Sequence, residues 1–251
     1  MTSTTARPDE ATSTESIELG RPSYSWQSGQ DRRLAMIREF VPLEGARILD
    51  IGCGIGTYVR HFREFSDDVH GVDVESERVA EASETLPNIR LAPAESLPYE
   101  DGFFDLTFLN EVIEHVDDDR RSIREAVRVT KPGGCVVVFA PNRLFPFETH
   151  GAYFRGTYHF GNIPVVNWLP NPLRNRFAPH VRAYMPRAIR RLFRGLPVSI
   201  VHDRAIYPGF DKVTARHRVL GPVLRKALYA AEHTPFHQFG LSHFVVARKD
   251  A

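Results

Sequence analysis

The stretch from 46 to 58, Ala-Arg-Ile-Leu-Asp-Ile-Gly-Cys-Gly-Ile-Gly-Thr-Tyr, constrains the fold more than any other part of the chain. Ile48, Leu49 and Ile51 make a short apolar run of the kind a central parallel strand shows when helices cover both faces of its sheet. The run breaks into Gly52, Gly54 and Gly56, which supply unusual backbone angles and, lacking Cβ, let main chain approach a ligand closely. Thr57 then opens a helix with Tyr58, Val59, Phe62 and Phe65 on one side. A strand, a glycine turn and a helix in that order predict an α/β fold with its binding site at the turn.

The spacing narrows the ligand. A dinucleotide fingerprint begun at Gly52 requires glycine at 57, where this chain has Thr57. Asp50, just before the turn, would face a pyrophosphate with like charge in a partly desolvated site. It suits a cation instead. The run 69 to 74, Val-His-Gly-Val-Asp-Val, reads as a second strand ending at Asp73 and Val74. An acid some 20 residues beyond a glycine turn is placed to accept hydrogen bonds from ribose hydroxyls. Asp73 is therefore the expected ribose ligand.

The pattern Asp50-x-Gly52-x-Gly54-x-Gly56 resembles motif I of the class I S-adenosylmethionine-dependent methyltransferases, whose cofactor carries a sulfonium and an ammonium but no phosphate. Three later segments match the family in order. Asp73 ends the second strand; the run 110 to 116, Asn-Glu-Val-Ile-Glu-His-Val, follows a fourth strand over 104 to 110; and Lys131-Pro132-Gly133-Gly134 precedes a fifth strand over 135 to 140. The resemblance covers residues 46 to 142. It implies a Rossmann-like, doubly wound seven-stranded sheet, mostly parallel, whose last two strands, expected at 198 to 201 and 243 to 247, form an antiparallel hairpin. It also implies S-adenosylmethionine as cofactor, held by Asp50, Gly52, Cys53, Gly54, Gly56, Asp73 and Val74, with Asn110 and Glu111 beneath the methionine and sulfonium portions. At the adenine stretch the family usually has an aspartate where this chain has Pro93, so recognition of the ring edge falls to Ala94 and Glu95.

Residues 1 to 20 are rich in Thr, Ser and Glu and poor in bulky apolar side chains, which predicts a disordered tail. Residues 21 to 251 form one methyltransferase domain. Leu34, Ile37 and Val41 recur at helical spacing over 31 to 41, and Tyr24 and Trp26 are candidate cover for the cofactor. Two segments interrupt the domain. Residues 141 to 184 hold nine aromatics in 44 positions, 20% against 11% for the chain, and read as a lid over the transfer site; 205 to 240 is a second insertion.

Between His150 and His202 there is no Asp or Glu but eight arginines, from Arg155 to Arg194. Two readings stay open: a surface for an anionic acceptor, or a solvated helix face around Ala188, Ile189, Leu192 and Phe193. Arginine outnumbers lysine 28 to 4 throughout, so arginine alone is a weak sign. Cys53 and Cys135 both fall in core segments, which excludes a disulfide framework or a cysteine-held iron-sulfur cluster. With no apolar span of ~20 residues and no signal core, the expected setting is the cytoplasm.

Methyl transfer to a hydroxyl needs an aligned nucleophile and a base, and a histidine is the natural base. His150, with Glu148 to orient it, His115, and His180 beside Arg182 are the catalytic candidates. No H-E-x-x-H or similar spacing indicates a metal, and none is expected. The segment from Pro141 to His150 resembles a subgroup of small-molecule methyltransferases, which implies an oxygen acceptor on a small molecule. An RNA methyltransferase using the arginine-rich region and a non-catalytic cofactor-binding module are the alternatives. No separate RNA-binding module or stacking platform is present, so nucleic acid is not the expected partner. The sequence leaves the oligomeric state open.

Overall fold

The computed structural model describes residues 28–217 and 219–251. The expected tail over 1 to 20, Tyr24 and Trp26 lie outside the described residues.

Seven strands form the main sheet: β1 (Ile48–Ile51), β2 (Val69–Asp73), β3 (Ile89–Leu91), β4 (Phe104–Asn110), β5 (Thr130–Pro141), β10 (Val198–Ile206) and β11 (Ser242–Lys249). Their order is β3-β2-β1-β4-β5-β11-β10. β1 to β5 pair in parallel, and β11 runs antiparallel to both of its neighbours. This is the expected doubly wound sheet with an antiparallel last strand. Every residue of β1 and β2 is buried, as strands covered on both faces must be.

Alternation along the strands feeds two cores. Leu49 and Ile51 face one, sealed by α4 (Asp119–Val129) and α6 (Pro186–Leu192). Ile48 faces the other, sealed by α1 (Ser28–Arg38), α2 (Thr57–Phe62) and α3 (Ser76–Ser83). Asp118 caps α4 by accepting from Arg121 N, satisfying one orphan donor of the first turn.

Two strands depart from the sequence reading. The Lys-Pro-Gly-Gly segment does not precede β5 but lies inside it. Thr130 pairs with Phe104 and Cys135 with Leu106, so residues 131–134 are looped out of the ladder. A Cβ on Gly134 would lie 2.8 Å from Asp105 O, so the excursion can pass this closely only with glycine there. β10 runs five residues beyond the apolar stretch ending at Val201. A register shift between Ile200 and His202 marks a bulge, and the strand continues through polar residues to Ile206.

The aromatic-rich segment carries its own elements. β6 (Phe147–Glu148) pairs with β9 (Ile163–Pro164), and β7 (Ala152–Phe154) pairs with β8 (Thr157–His159). With α5 (Asn171–Phe177) they enclose a small separate core of Ala152, Val166, Ala178 and Val181. The second excursion runs from 207 to 241 and holds α7 (Asp211–Arg216) and α8 (Leu220–Ala231). Among the described residues no helix is long and apolar enough to cross a membrane.

Candidate active site

The strand order reverses direction between β1 and β4, and crevices in such sheets open beyond the carboxyl ends of the strands at that point. The glycine turn lies there. Gly52, Gly54 and Gly56 all have positive φ, at 74°, 54° and 82°. They are glycines for different reasons. A Cβ on Gly52 would sit 2.5 Å from Val112 Cγ2, and one on Gly56 would sit 2.2 Å from Leu86 Cδ1, so both are demanded by protein packing. Around Gly54 nothing comes nearer than Arg78 Cδ at 4.0 Å, so this glycine leaves open space in front of the main chain.

The turn is stitched to β2. Val72 O accepts from Gly52 N and Cys53 N, and Asp73 Oδ2 accepts from Gly54 N at 2.8 Å while Oδ1 accepts from Glu75 N at 3.0 Å. Asp73 is buried, as is Asp50. Burial, and then the charge of Asp73, push the Asp50 carboxyl well above the usual range. The Cys53 side chain turns inward: its Sγ lies where a Cβ on Gly71 would meet it at 2.8 Å, and burial pushes the thiol up. Cys53 can serve a ligand only through its backbone. Val74 and Leu91 are exposed apolar side chains beside this edge, and Leu91 pairs in register with Asp73. Ala94 is buried, and Glu95 Oε1 accepts from Asp117 N and Asp118 N, so this carboxylate supports the entry to α4.

Beyond β4 the chain turns sharply. Glu111 adopts φ 56°, a left-handed conformation that costs a non-glycine residue energy and that tertiary contacts must hold. Arg33 of α1 holds it, donating to Asn110 Oδ1 and to Glu111 Oε1 (2.7 Å) and Ser242 Oγ (2.9 Å), with its guanidinium over the Phe139 ring. Ser242 Oγ also donates to Glu111 Oε1 at 2.6 Å. Burial alone would raise the Glu111 carboxyl, but Arg33 and Ser242 carry it below its usual value. From the opposite side Tyr184 Oη donates to Ile113 O (2.8 Å), and Arg182 donates to Val116 O and Asp117 O. The turn is thus clasped between α1 and the end of the aromatic-rich segment.

This clasp presents Glu114 and His115 to the aromatic-rich segment, which contributes Glu148 and His150. Glu148 Oε1 accepts from His150 N (3.0 Å) and Nδ1 (3.1 Å), and Oε2 accepts from Arg174 Nη2 at 2.8 Å. Burial would raise Glu148, but His150 and Arg174 hold it below its usual range, so it is an ionised acceptor and Nδ1 carries the proton. Glu114 is buried, and burial followed by the charge of Glu111 raises its carboxyl well above the usual value. Burial lowers His115 to about 4, leaving it neutral. The His115 and His150 rings lie edge to face with centroids 5.4 Å apart. His115, His150 and Glu148 therefore meet in space, and His180 Nε2 lies 3.1 Å from His150 O.

A methyltransferase-domain family model matches residues 49–138. Malonyl-[acyl-carrier protein] O-methyltransferase of Erwinia billingiae is 33% identical over 192 residues, spanning 76% of this chain and 69% of that enzyme. The chain belongs to the class I S-adenosylmethionine-dependent methyltransferases. Ubiquinone biosynthesis O-methyltransferase of Rhodopseudomonas palustris is 33% identical over 148 residues, 53% of this chain and 58% of that one. The solved S-adenosylmethionine-dependent methyltransferase from Mesorhizobium loti shares the fold, with a TM-score of 0.62, 21% identity, and coverage of 89% of this chain and 98% of that one. The chain spans from 32% to 66% of the length of several further curated relatives.

The residues fit the family's cofactor. Gly54 leaves room over bare main chain, Asp50 and Asp73 set two buried acids on one edge, and Val74 and Leu91 offer apolar surface beside them. A buried acid pair is stable beside a cation and costly without one. No local pattern in the sequence marks Arg33, Arg174 or Tyr184 as a site residue. Only the Glu114-His115 neighbour pair carried a local signal. The arginine-rich stretch resolves largely as structure: Arg174 pairs with Glu148, Arg182 binds carbonyls, and Arg190 pairs with Asp203. Arg187, Arg191 and Arg194 are exposed around the buried Ile189, Leu192 and Phe193, the pattern of a solvated helix face.

Proposed function

We propose that this chain transfers the methyl group of S-adenosylmethionine to an oxygen of a small-molecule acceptor. The observation that carries the reading is a polar cluster, Glu114, His115, His150 and Glu148, beside the crevice that the glycine turn and the two acids form. When bound, the cofactor supplies an electrophilic methyl on a cationic sulfur. Asp50 and Asp73 hold it, with Gly52, Cys53, Gly54 and Gly56 contributing backbone, Val74 and Ala94 lining its nucleoside end, and Asn110 and Glu111 fixing the floor through Arg33.

The cluster is the place where an acceptor hydroxyl is activated, since an imidazole or a carboxylate can take its proton. The segment 141–184 is the lid, supplying Glu148 and His150 and excluding water. That relatives named for malonyl-[acyl-carrier protein] and ubiquinone biosynthesis are O-methyltransferases supports oxygen as the attacking atom. Arg174 and Arg182 are engaged by Glu148 and by backbone carbonyls, so an anionic group on the acceptor would be met by the exposed arginines of the stretch.

Mass spectrometry of small-molecule extract incubated with the purified chain and a methyl-labelled donor tests this. One or more labelled products with the mass and fragmentation of a methyl ether or ester, matched by S-adenosylhomocysteine, is expected. Label on nitrogen or on RNA, or no S-adenosylhomocysteine with any extract, would overturn it.

A further inference from the structure

Glu114 is a buried carboxylate for which neither oxygen has a hydrogen-bond donor among the described residues. Leaving such a buried polar group without a donor costs about 1–3 kcal/mol. The neighbouring Glu111 is another acceptor, already bound by Arg33 and Ser242. What faces Glu114 Oε1 is a pair of imidazole nitrogens, His115 Nε2 and His150 Nε2, each 3.9 Å away and beyond hydrogen-bond reach. One ligand atom from each of the three residues can be drawn within 4.8 Å of the others.

We propose that Glu114, His115 and His150 bind a divalent first-row transition-metal ion beside the cofactor crevice. Ligand atoms about 2.0–2.1 Å from a tetrahedral ion lie about 3.3 Å apart, so each imidazole nitrogen must approach Glu114 Oε1 by about half an ångström, and the ligand atoms, which lie within 4.8 Å of one another, by up to about 1.5 Å. His150 is prepared for the task. Its Nδ1–H donates to Glu148, which Arg174 holds in turn, so the lone pair sits on Nε2 and points toward Glu114. A carboxylate fixing the far nitrogen of a ligating histidine is the usual outer support of such sites.

The donor set also selects the ion. Two imidazoles and one carboxylate suit zinc, cobalt or manganese, whereas magnesium and calcium favour all-oxygen surroundings. The ion's charge favours the ionised form of Glu114, which has no hydrogen-bonded arginine of its own as Glu111 has Arg33 and Glu148 has Arg174. The His115 and His150 side chains keep 21% and 18% of their surface exposed while that of Glu114 keeps none, so the open side of the site faces outward. Three protein ligands with one open position is the arrangement of a catalytic rather than a structural ion. Such an ion lowers the pKa of a hydroxyl on its open side. This consequence rests on the methyl-transfer reading above; the binding site does not.

The test uses the full chain stripped with a chelator and titrated with Co²⁺, read by visible absorption, with Mn²⁺ and Zn²⁺ followed by calorimetry. One equivalent is expected to bind with ligand-field bands. Glu114→Gln and His150→Ala should each lose affinity by more than the roughly 10–100-fold that loss of an outer partner costs. S-adenosylmethionine affinity, measured on the same samples, reports whether each variant is folded. No stoichiometric binding by the wild type, or bands unchanged in both folded variants, overturns the site. Metal bound with no labelled methyl product refutes the methyl-transfer reading alone; chelator-insensitive transfer without stoichiometric metal refutes the metal site alone.

Discussion

Arg33→Met isolates the contact that ties α1 to the turn after β4. Methionine keeps an apolar stem against Phe139 but removes the guanidinium, leaving the Glu111 carboxylate with Ser242 as its remaining donor. Removing one partner of a buried pair costs about 3–5 kcal/mol. Here the side chains retain 14% and 26% exposure, so water recovers part of that, and about 2–3 kcal/mol is the expected loss. For a domain of this size that is a drop of roughly 4–12 °C in Tm. Chemical denaturation of Arg33→Met, Glu111→Gln and the double variant measures the coupling directly. The double variant should be less destabilised than the sum of the singles, because it leaves no uncompensated charge. A single-variant loss below about 1 kcal/mol with additive energies would place the pair among exposed salt bridges and refute the clasp.

Two further outcomes follow from the glycine turn and its acids. Gly56→Ala must adopt a positive φ and place a Cβ 2.2 Å from Leu86 Cδ1, for an expected loss of about 2–4 kcal/mol by urea denaturation; adding Leu86→Ala should relieve the clash without restoring wild-type stability. Asp50 has a raised pKa in the ligand-free fold, so its contribution to stability is fully present below its unfolded pKa of about 3.9 and is lost as pH rises through the raised value. A cationic ligand favours the ionised form, so binding should release protons in calorimetry and cofactor affinity should rise as pH rises through the same window; Asp50→Asn should abolish both effects.

How much could be read beforehand depended on sequence separation. Strand, glycine turn and acid are consecutive, and their periods and special residues spell the crevice from Ile48 to Asp73. The contacts that complete it are distant: Arg33 meets Glu111 across 78 positions, and His150 reaches Glu114 only because β6 and α5 fold back over the sheet edge. Nothing local marks Arg33 as different from the exposed arginines of α6. The apolar pattern stops at Val201 while β10 continues, because its second half carries His202, Asp203 and Arg204 at an edge where polar side chains are tolerated. The looped-out residues 131–134 combined proline and two glycines, the signature of a turn, and their return to the same strand depends on pairing with β4.

The most direct test of the central claim is calorimetric titration of S-adenosylmethionine into the wild type and Asp73→Asn. Loss of charge-assisted hydrogen bonds to the ribose, worth roughly 1.5–3 kcal/mol, predicts affinity weaker by about 10- to 150-fold in a variant that stays folded. Equal affinity in the two proteins, or no binding by the wild type, would contradict a cofactor held over Gly54 between Asp50 and Asp73.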